Sequence, residues 1–367
     1  MTHEAYMEMA LALAVRGTGW TSPNPNVGAV VVKNGCVVGR GWHKKCGGPH
    51  AEVFAIDEAG DEAKNADIYV TLEPCNHTGK TPPCTEKILN AGIKRVFIAM
   101  ADPNPVASGG IERLRENGVE VTCGILQEKA EAINEGFIKH IRCKRPFVIA
   151  KSASTLDGRT ATSTGHSQWI TGPSARRHVH QLRHEVDAIL VGIGTVGVDD
   201  PSLTCRLEQG GKDPMRLVVD TRLSIDETAK ILRLKSDSDT VLVSGPIASD
   251  DTETLEKRGR LEALGAKVWE VPLKEGRVDL GALMDRLGQE KIQSLLIEGG
   301  AGILRSALDA KIVDKFRIYL APKLLTGDDG HPITAGRGPL SMDEALSLSR
   351  LTVRHFDNDV MIEGYLA

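Results

Sequence analysis

The chain has 367 residues, of which 41% are hydrophobic and 26% charged, and its formal net charge is −4. Because a single core stops growing at about 250–300 residues, this length predicts two domains. The charge balance excludes a whole-chain electrostatic footprint for nucleic acid, and no apolar run reaches the ~20 residues of a membrane helix. Seven cysteines, an odd number, fit a reducing cytosol better than a disulfide framework. Glu4 and Glu8 argue against a secretory signal, so we expect a cytoplasmic protein without nucleic-acid or membrane partners.

The first part of the chain alternates helix and strand signals. Apolar spacing around Met9 and Leu13 predicts an amphipathic helix that ends at Gly17. The dipeptide Asn34-Gly35 favours a type I′ turn, and it joins two predicted strands, Val27–Val32 and Cys36–Gly41. Further strands are predicted at Ile68–Leu72, Arg95–Met100 and Val119–Cys123, and helices from Pro49 to Ala59, at Cys84–Asn90 and around Ile111–Asn117. Strands separated by helices predict a sheet covered on both faces.

A second series of elements begins after Lys144-Arg145-Pro146, where basic residues and a proline mark a domain boundary. Strands are predicted at Phe147–Lys151, Ala188–Val191, Arg216–Asp220, Thr240–Ser244, Lys267–Val271, Ser294–Ile297 and Lys315–Leu320. Helical patterns lie between several of these strands, such as Ser174–Glu185 and Ala301–Leu308. The sequence therefore predicts two α/β domains with separate cores, residues 1–145 and 146–367.

The strongest chemical signal is a set of metal-ligand side chains in the first domain. His50 and Glu52 lie in the segment PHAE, Cys75 ends the segment EPC and Cys84 ends the segment PPC. A catalytic zinc site keeps three protein ligands of the imidazole or thiolate kind and one position open for water. We therefore predict one zinc ion held by His50, Cys75 and Cys84, with Glu52 as the catalytic base. Cys84 is expected to open a helix, whose dipole favours the thiolate form.

This combination is typical of the zinc deaminases of bases and nucleosides, in which a glutamate that is not a ligand shuttles protons. Here the second cysteine follows the first by nine positions, whereas many such enzymes have only about two residues between them. A structural zinc knot is the alternative, and it requires a fourth ligand, for which Cys46 is a candidate. The glutamate that follows the ligand histidine favours catalysis. Cys46 and the remaining cysteines, Cys36, Cys123, Cys143 and Cys205, are expected to be buried or incidental thiols.

The residues around the cysteines identify a family. The sequence TLEPCNHTGKTPPC at 71–84, with NPNVGAV at 24–30, GWH at 41–43 and DPNP at 102–105, closely resembles the deaminase domain of the bifunctional riboflavin-pathway deaminase/reductase family. The resemblance covers the whole chain and keeps the family's domain order. It implies a cytidine-deaminase-like α/β/α sandwich, with Asn24, His43, His77 and Lys80 around the pyrimidine and its ribose phosphate. His77 and Lys80 suit a phosphate, which needs donors and positive charge.

A glycine-rich segment in the second domain invites a different interpretation. Residues 192–197 read GIGTVG after a predicted strand, and Asp220 follows at roughly the ~20-residue spacing of a dinucleotide-binding fingerprint. In that fingerprint the third glycine opens a helix that carries the pyrophosphate. Here the sequence VDDPS at 198–202 follows and predicts a turn. We therefore expect a switch from strand to loop and no Rossmann fold.

The second domain resembles the reductase domain of the same family. The resemblance rests on KSASTLDGR at 151–159, SQWIT at 167–171, DDPSLT at 199–204 and EGGAG at 298–302. It implies a dihydrofolate-reductase-like α/β domain that binds NADPH without a Rossmann fingerprint. The substrate would contact Lys151, Ser167, Arg183, Leu203, Arg206 and Glu298, and the cofactor would contact Ala153, Trp169, Thr195, Asp199, Thr221, Gly299, Gly300, Ala301, Gly302, Ile303 and Leu304.

Three of these assignments also have a chemical argument. The planar guanidinium groups of Arg183 and Arg206 suit bidentate contact with the sugar phosphate. The glycines after Glu298 lead into a predicted helix, whose first amides suit a cofactor phosphate, although a plain strand-to-helix turn explains them as well. Asp199 is a candidate for assisting proton transfer during hydride delivery.

Taken together, the residues and the resemblance predict a bifunctional enzyme of riboflavin biosynthesis. The first domain would deaminate 2,5-diamino-6-(5-phosphoribosylamino)pyrimidin-4-one hydrolytically, and the second would use NADPH to reduce the ribosyl group to ribityl phosphate. The resulting expectation is a small-molecule enzyme, as a homo-oligomer, with zinc and NADPH as cofactors. Two rivals remain open: a nucleoside or RNA deaminase with a non-catalytic second domain, and a non-enzymatic zinc scaffold.

Overall fold

The computed structural model of the chain describes residues 1–77 and 82–366. The chain folds into two compact units, Met1–Lys144 and Arg145–Ala367. All seven cysteines have free thiols. Within the described ranges, no helix combines the length and the apolar character that crossing a membrane requires.

The first unit is a five-stranded sheet with six helices in its described part. The helices are α1 (His3–Ala14), α2 (Ala51–Ala59), α3 (Cys84–Asn90), α4 (Gly110–Glu116), α5 (Gln127–Ala132) and α6 (Glu135–Cys143). The strands are β1 (Gly28–Lys33), β2 (Cys36–Trp42), β3 (Asp67–Leu72), β4 (Arg95–Met100) and β5 (Glu120–Cys123). Their order is β2-β1-β3-β4-β5, with β1 antiparallel to both neighbours and β3, β4 and β5 parallel. Asn34 and Gly35 both have positive φ, which confirms the predicted hairpin.

Helices cover both faces of this sheet, as predicted. Gly28 pairs with Trp42, so Gly28 and Gly41 point to opposite faces. A Cβ at Gly28 would lie 2.0 Å from the carbonyl oxygen of Ala10 in α1, and one at Gly41 would lie 2.2 Å from that of Ala51 in α2. Glycine at these positions lets one helix approach each face closely, and the approach of α2 brings its first turn to the carboxyl end of β3.

The second unit contains a nine-stranded sheet. Its strands are β6 (Phe147–Thr155), β8 (Ala188–Gly192), β9 (Met215–Val219), β10 (Thr240–Ser244), β11 (Lys267–Glu270), β14 (Ser294–Glu298), β15 (Lys315–Ala321), β17 (Leu348–Phe356) and β18 (Asp359–Leu366). Short strands outside it are β7 (Arg159–Ala161), β12 (Leu273–Lys274), β13 (Arg277–Val278) and β16 (His331–Pro332). The helices are α7 (Pro173–Glu185), α8 (Ile193–Asp199), α9 (Thr252–Ala263), α10 (Leu280–Gln289) and α11 (Ala301–Asp309).

The order of the sheet is β11-β10-β9-β8-β14-β6-β15-β18-β17. The strands from β11 to β15 are parallel, and β18 is antiparallel to both of its neighbours, β15 and β17. Alternate residues of β8 enter two cores. Ile189 and Val191 pack in a core with α7, whereas Leu190 packs in a core with α10 and α11. In a parallel sheet that is buried on both faces, polar functional residues collect in the loops at the carboxyl ends of the strands.

The glycine-rich segment at 192–197 corrects one prediction. The expected switch from strand to loop is wrong, because residues Ile193–Asp199 form helix α8 directly after β8. Burial of Val196 in the core anchors this turn in spite of the poor helix propensity of its glycines. The Rossmann interpretation has no support from Asp220, whose carboxylate is buried and accepts hydrogen bonds from Ser224 Oγ and the Ile225 amide.

Candidate active sites

The first unit brings His50, Cys75 and Cys84 together. His50 is the N-cap of α2, Cys75 follows β3, and Cys84 is the first residue of α3. His50 Nδ1 lies 3.2 Å from Cys84 Sγ and 3.5 Å from Cys75 Sγ, and the three ligand atoms lie within 4.8 Å of one another. A tetrahedral zinc with bonds of about 2.0–2.3 Å spaces its ligand atoms at comparable distances. The donor set and its spacing therefore fit zinc.

The cluster contains three ligand residues in the described part of the chain, which matches a site with one open position. Cys46, the candidate fourth ligand, is exposed and is not part of the cluster. Hydrogen bonds from the Cys84 thiol and from His50 lower the pKa of Cys75 to about 4. The deprotonated thiolate is the form of cysteine that binds a metal.

Glu52 lies beside the three ligands and is almost completely buried. Its Oε2 has no hydrogen-bond partner among the residues the structure describes. Burial raises the pKa of Glu52 to about 6, against the lowering effect of His50. An unpartnered buried carboxylate oxygen is costly unless a ligand or water satisfies it, so Glu52 is available for chemistry at this site.

Two further predicted residues line the same region. His43 Nδ1 lies 3.0 Å from the carbonyl oxygen of Pro49, and since a carbonyl only accepts, this nitrogen carries the proton. His43 Nε2 then accepts from the Asn24 amide at 3.1 Å. The ring of His43 is perpendicular to that of His50, with centroids 5.5 Å apart. His77 is exposed two residues after Cys75, and Lys80 lies outside the described residues.

The second unit contains a cavity of about 400 Å³ near the carboxyl ends of β8 and β14. Five of the predicted substrate residues line it: Lys151, Ser167, Arg183, Leu203 and Glu298. Seven of the predicted cofactor residues also line it: Ala153, Thr195, Asp199, Gly299, Gly300, Ala301 and Leu304. Sequence reasoning did not single out Thr160, Ile170, Val198, His331 and Ile333, which contribute to its wall. Ile170 lies within the motif SQWIT and Val198 within the segment VDDPS, but neither received a role there, and the other three belong to no motif that the sequence analysis used.

A buried ion cluster forms part of the wall of this cavity. Arg183 donates from Nε and Nη2 to the two carboxylate oxygens of Glu298, at 2.8 and 2.9 Å. Its Nη1 donates to the carbonyl oxygen of Thr204 at 3.2 Å, and Lys151 Nζ lies 3.9 Å from Glu298. Burial acts to raise the pKa of Glu298, but the charges of Arg183 and Lys151 outweigh it and hold this pKa at about 2. Burial also lowers the pKa of Lys151, against the attraction of Glu298.

Five predicted residues do not line this cavity: Trp169, Arg206, Thr221, Gly302 and Ile303. Arg206 lines a smaller pocket of about 230 Å³ together with Arg176, Arg177 and His180 of α7. The Trp169 ring is 60% exposed, and the Arg176 guanidinium lies 4.4 Å from its centroid. Arg183 and Arg206, which the sequence analysis paired as phosphate contacts, therefore line different pockets.

Comparison with known protein families assigns a family model to each unit. Residues 1–100 match the cytidine and deoxycytidylate deaminase zinc-binding region. Residues 146–362 match the RibD C-terminal domain. The protein is therefore an enzyme that joins a deaminase domain to a reductase domain.

Relatives identify the family over the full length. The riboflavin biosynthesis protein RibD of Actinobacillus pleuropneumoniae is 42% identical over 364 residues, which cover 99% of this chain and 95% of the relative. The chain belongs to the RibD family, the bifunctional deaminase/reductases of riboflavin biosynthesis.

Two solved structures resemble both units at once. RibD of Acinetobacter baumannii (form 1) has 37% identity and a TM-score of 0.88, covering 99% of this chain and 98% of that one. The diaminohydroxyphosphoribosylaminopyrimidine deaminase/5-amino-6-(5-phosphoribosylamino)uracil reductase of Thermotoga maritima has 34% identity and a TM-score of 0.86, with the same coverage.

Proposed function

We propose that this chain acts twice on one phosphorylated pyrimidine. The first unit removes the exocyclic amine of 2,5-diamino-6-(5-phosphoribosylamino)pyrimidin-4-one as ammonia, and the second reduces the ribosyl group of the product to ribityl phosphate with NADPH. The deaminase and reductase activities in the name of the Thermotoga maritima relative support this assignment, since that protein is matched over nearly its whole length. The single observation that carries the deaminase half is the grouping of His50, Cys75 and Cys84 beside the buried Glu52.

We assign His50, Cys75 and Cys84 as the ligands of one zinc ion. Zinc bound there would supply Lewis acidity and so acidify a water molecule for attack on the ring carbon that bears the amine. The protein's contribution is the fixed grouping of the three donor atoms beside Glu52. His43, held between Pro49 and Asn24, packs against the His50 ring and restricts its orientation.

Glu52 is the catalytic acid and base of the deaminase half. Its Oε2 has no partner among the described residues, so it is available to accept a proton from the attacking water. It then delivers a proton to the leaving ammonia. A carboxyl group accepts a proton in its ionised form and donates it in its neutral form, which are the two roles that general acid–base catalysis requires here. Asn24, His43, His77 and Lys80 are the proposed contacts for the pyrimidine and its ribose phosphate.

The cavity of the second unit is the proposed reductase site. The nicotinamide cofactor would extend along Ala153, Trp169, Thr195, Asp199, Thr221 and the segment Gly299–Leu304. Gly299 and Gly300 have positive φ and precede α11, and a Cβ at Gly299 would lie 2.9 Å from Thr195 Oγ1. The backbone at Gly299 therefore packs closely against Thr195. The first amides of α11 suit a cofactor phosphate. Asp199 also lines the cavity and is the proposed aid to proton transfer.

The two predicted phosphate contacts receive different roles. Nε, Nη1 and Nη2 of Arg183 already donate to Glu298 and Thr204, so Arg183 holds Glu298 in place, and Glu298 in turn attracts Lys151. Arg206 makes no ion pair with a described residue, and it lies in a pocket with Arg176 and Arg177, where three guanidinium groups outnumber the one carboxylate, that of Glu208. Burial and the charges of Arg183 and Arg206 together lower the pKa of His180. Arg206 is therefore the proposed ligand of the sugar phosphate.

The free thiols bear on where the protein works. Seven cysteines without a disulfide fit a reducing compartment, so we place the enzyme in the cytoplasm.

One experiment tests both halves. The purified protein is incubated with the diaminopyrimidinone ribosylamine phosphate, zinc and NADPH, and ammonia, oxidised cofactor and both products are quantified. We expect ammonia release first and NADPH oxidation afterwards. Ammonia release from free nucleosides or RNA, but not from this compound, would favour the rival deaminase. Zinc binding without any ammonia release would favour a scaffold.

A further inference from the structure

Glu73 is a buried carboxylate that the deaminase chemistry does not use. It follows the last residue of β3 and precedes Cys75 by two positions, with 5% of its surface exposed. Its Oε1 accepts hydrogen bonds from the amides of Gly109, Gly110 and Ile111, at 2.9, 2.7 and 3.1 Å. Its Oε2 accepts from the Asp102 amide at 3.1 Å. A buried carboxylate is costly unless such donors satisfy it.

All of these donors belong to one segment. The amides come from the connection between β4 and α4 and from the first turn of α4 itself. Asp102 lies near one end of that connection and Gly109 at the other, so a single side chain fastens both ends of the loop. An ionised carboxylate is suited to this task because it only accepts, whereas an amide would present donors to some of these N–H groups.

The same loop supports the segment that contains Cys75. The amide of Asn76 donates to the carbonyl oxygen of Ala107 at 3.1 Å. A Cβ on Gly110 would lie 1.9 Å from the carbonyl oxygen of Pro74, so the loop packs directly against the residue before Cys75. The Cys75 backbone is therefore supported on this side by a loop whose position depends on Glu73.

Helix α3 supports Cys75 from another direction. The amide of Thr85 donates to the Cys75 carbonyl oxygen at 3.3 Å, and the amide of Cys84 donates to Cys75 Sγ at 3.4 Å. Thr85 Oγ1 also donates to the side-chain oxygen of Asn76 at 3.1 Å. Cys75 and Asn76 are thus held between the loop and α3. Of these two elements, only α3 carries a proposed zinc ligand, which is Cys84.

We propose that Glu73 is a positioning residue for the metal site: by fixing the loop from Asp102 to Gly110 it sets where Cys75 presents its sulfur. Glu73 makes no contact with the metal or the substrate in this proposal. The inference rests on the proposed zinc ligands His50, Cys75 and Cys84. Replacing a residue that orients a metal ligand typically lowers metal affinity or activity by about 10- to 100-fold.

The test is Glu73→Gln in the full-length zinc protein. We expect zinc to leave about 10- to 100-fold faster when a chelator competes for it. In the cobalt-substituted protein, the sulfur-to-cobalt charge-transfer band should shift or weaken, because the Cys75 thiolate is displaced. The matched control is Asp67→Asn at the other end of β3, which removes a carboxylate paired with Arg95 and leaves the loop intact. This control should release zinc at the parent rate with the parent cobalt spectrum.

Parent-like zinc release and an unchanged cobalt spectrum in Glu73→Gln would overturn the proposal, as would equal changes in both variants. If Glu73→Gln fails to fold, Glu73→Asp keeps the test, since it retains the charge but cannot reach all donors. Glu73→Asp must then release zinc faster than Asp67→Asn, and a parent-like rate would again overturn the role. Failure of the ligand assignment itself would be visible separately, as a parent protein that retains no zinc.

Discussion

Arg183 and Glu298, which are 115 positions apart in the sequence, form a bidentate ion pair with hydrogen bonds of 2.8 and 2.9 Å in the wall of the cavity of the second unit. The side chains of both residues are only 12% and 9% exposed. Removing one partner of such a pair leaves an uncompensated buried charge, which is far more costly than losing an exposed pair.

Arg183→Ala should therefore lower the free energy of unfolding of the second unit by about 3–5 kcal/mol. Urea unfolding, followed by loss of reductase activity and by fluorescence, measures this change. Arg305→Ala is the matched control, because its pair with Asp309 on α11 is exposed. That control should cost less than about 1 kcal/mol. Equal losses in the two variants would contradict the importance of burial.

The pKa of Glu298 predicts how the stability of the second unit depends on pH. The folded pKa is about 2, below the unfolded value of about 4.3. The ionised form is favoured by folding, so its contribution is fully present above the unfolded pKa and is lost as pH falls towards the folded pKa. Glu298→Gln should flatten the decline of unfolding free energy between about pH 5 and about pH 2. An unchanged slope in this variant would show that other carboxylates cause the decline.

Cys75→Ser and Cys84→Ser should each lose tightly held zinc. Hydroxyl groups are poor zinc ligands, and two remaining donors do not complete a site. Elemental analysis after dialysis against a chelator measures the metal content. Cys46→Ser, which changes an exposed thiol outside the cluster, should keep the zinc of the parent. Loss of zinc from Cys46→Ser as well would revive the fourth-ligand interpretation.

Glu52→Gln should separate metal binding from proton transfer. The amide keeps the shape of the side chain but shuttles no protons, so zinc should stay while ammonia release falls by about 10²–10⁴-fold. NADPH oxidation with the already deaminated substrate should be unaffected. Glu58→Gln, also on α2 but exposed, is the matched control and should deaminate normally. Near-normal ammonia release by Glu52→Gln would mean that another group moves the protons.

Arg206→Ala should raise the KM for the reductase substrate by about one to two decades, since charge-assisted bonds to phosphate contribute about 1.5–3 kcal/mol. The KM for NADPH should change little. Arg206→Lys is the finer probe, because lysine keeps the charge and loses the planar fork. Arg277→Ala, an exposed arginine on β13, should match the parent. Parent-like behaviour of Arg206→Lys would exclude bidentate recognition of the phosphate. If Arg206→Ala raised the KM for NADPH alone, Arg206 would contact the cofactor and not the substrate.

The zinc cluster and most of the strands could be predicted from sequence because their signals are local. His50 and Glu52 are near neighbours, the cysteines lie in short proline-rich segments, and the Asn34-Gly35 turn dictates its own hairpin. The predicted position of Cys84 at the start of a helix is confirmed, since Cys84 is the first residue of α3. Such signals need no knowledge of the tertiary structure.

The remaining features depend on contacts between distant segments. The poor helix propensity of its glycines hid α8, which the burial of Val196 stabilises. The terminal hairpin β17–β18 was not predicted, since β17 is exposed along most of its length and lacks a clean apolar alternation. The partner of Arg183 was equally invisible, because a sequence gives the types of charged groups but not which of them meet. Glu73 looked like part of a motif, and only the hydrogen bonds to its carboxylate reveal what it holds.

The two units bury separate apolar cores. One consequence is genetic rather than chemical. We therefore expect a mutation that unfolds one unit to leave the core of the other intact, so that two differently damaged copies of the gene in one cell would complement each other. The intermediate made by one copy would diffuse to the intact reductase of the other, and the cell would keep its riboflavin supply without a single undamaged copy.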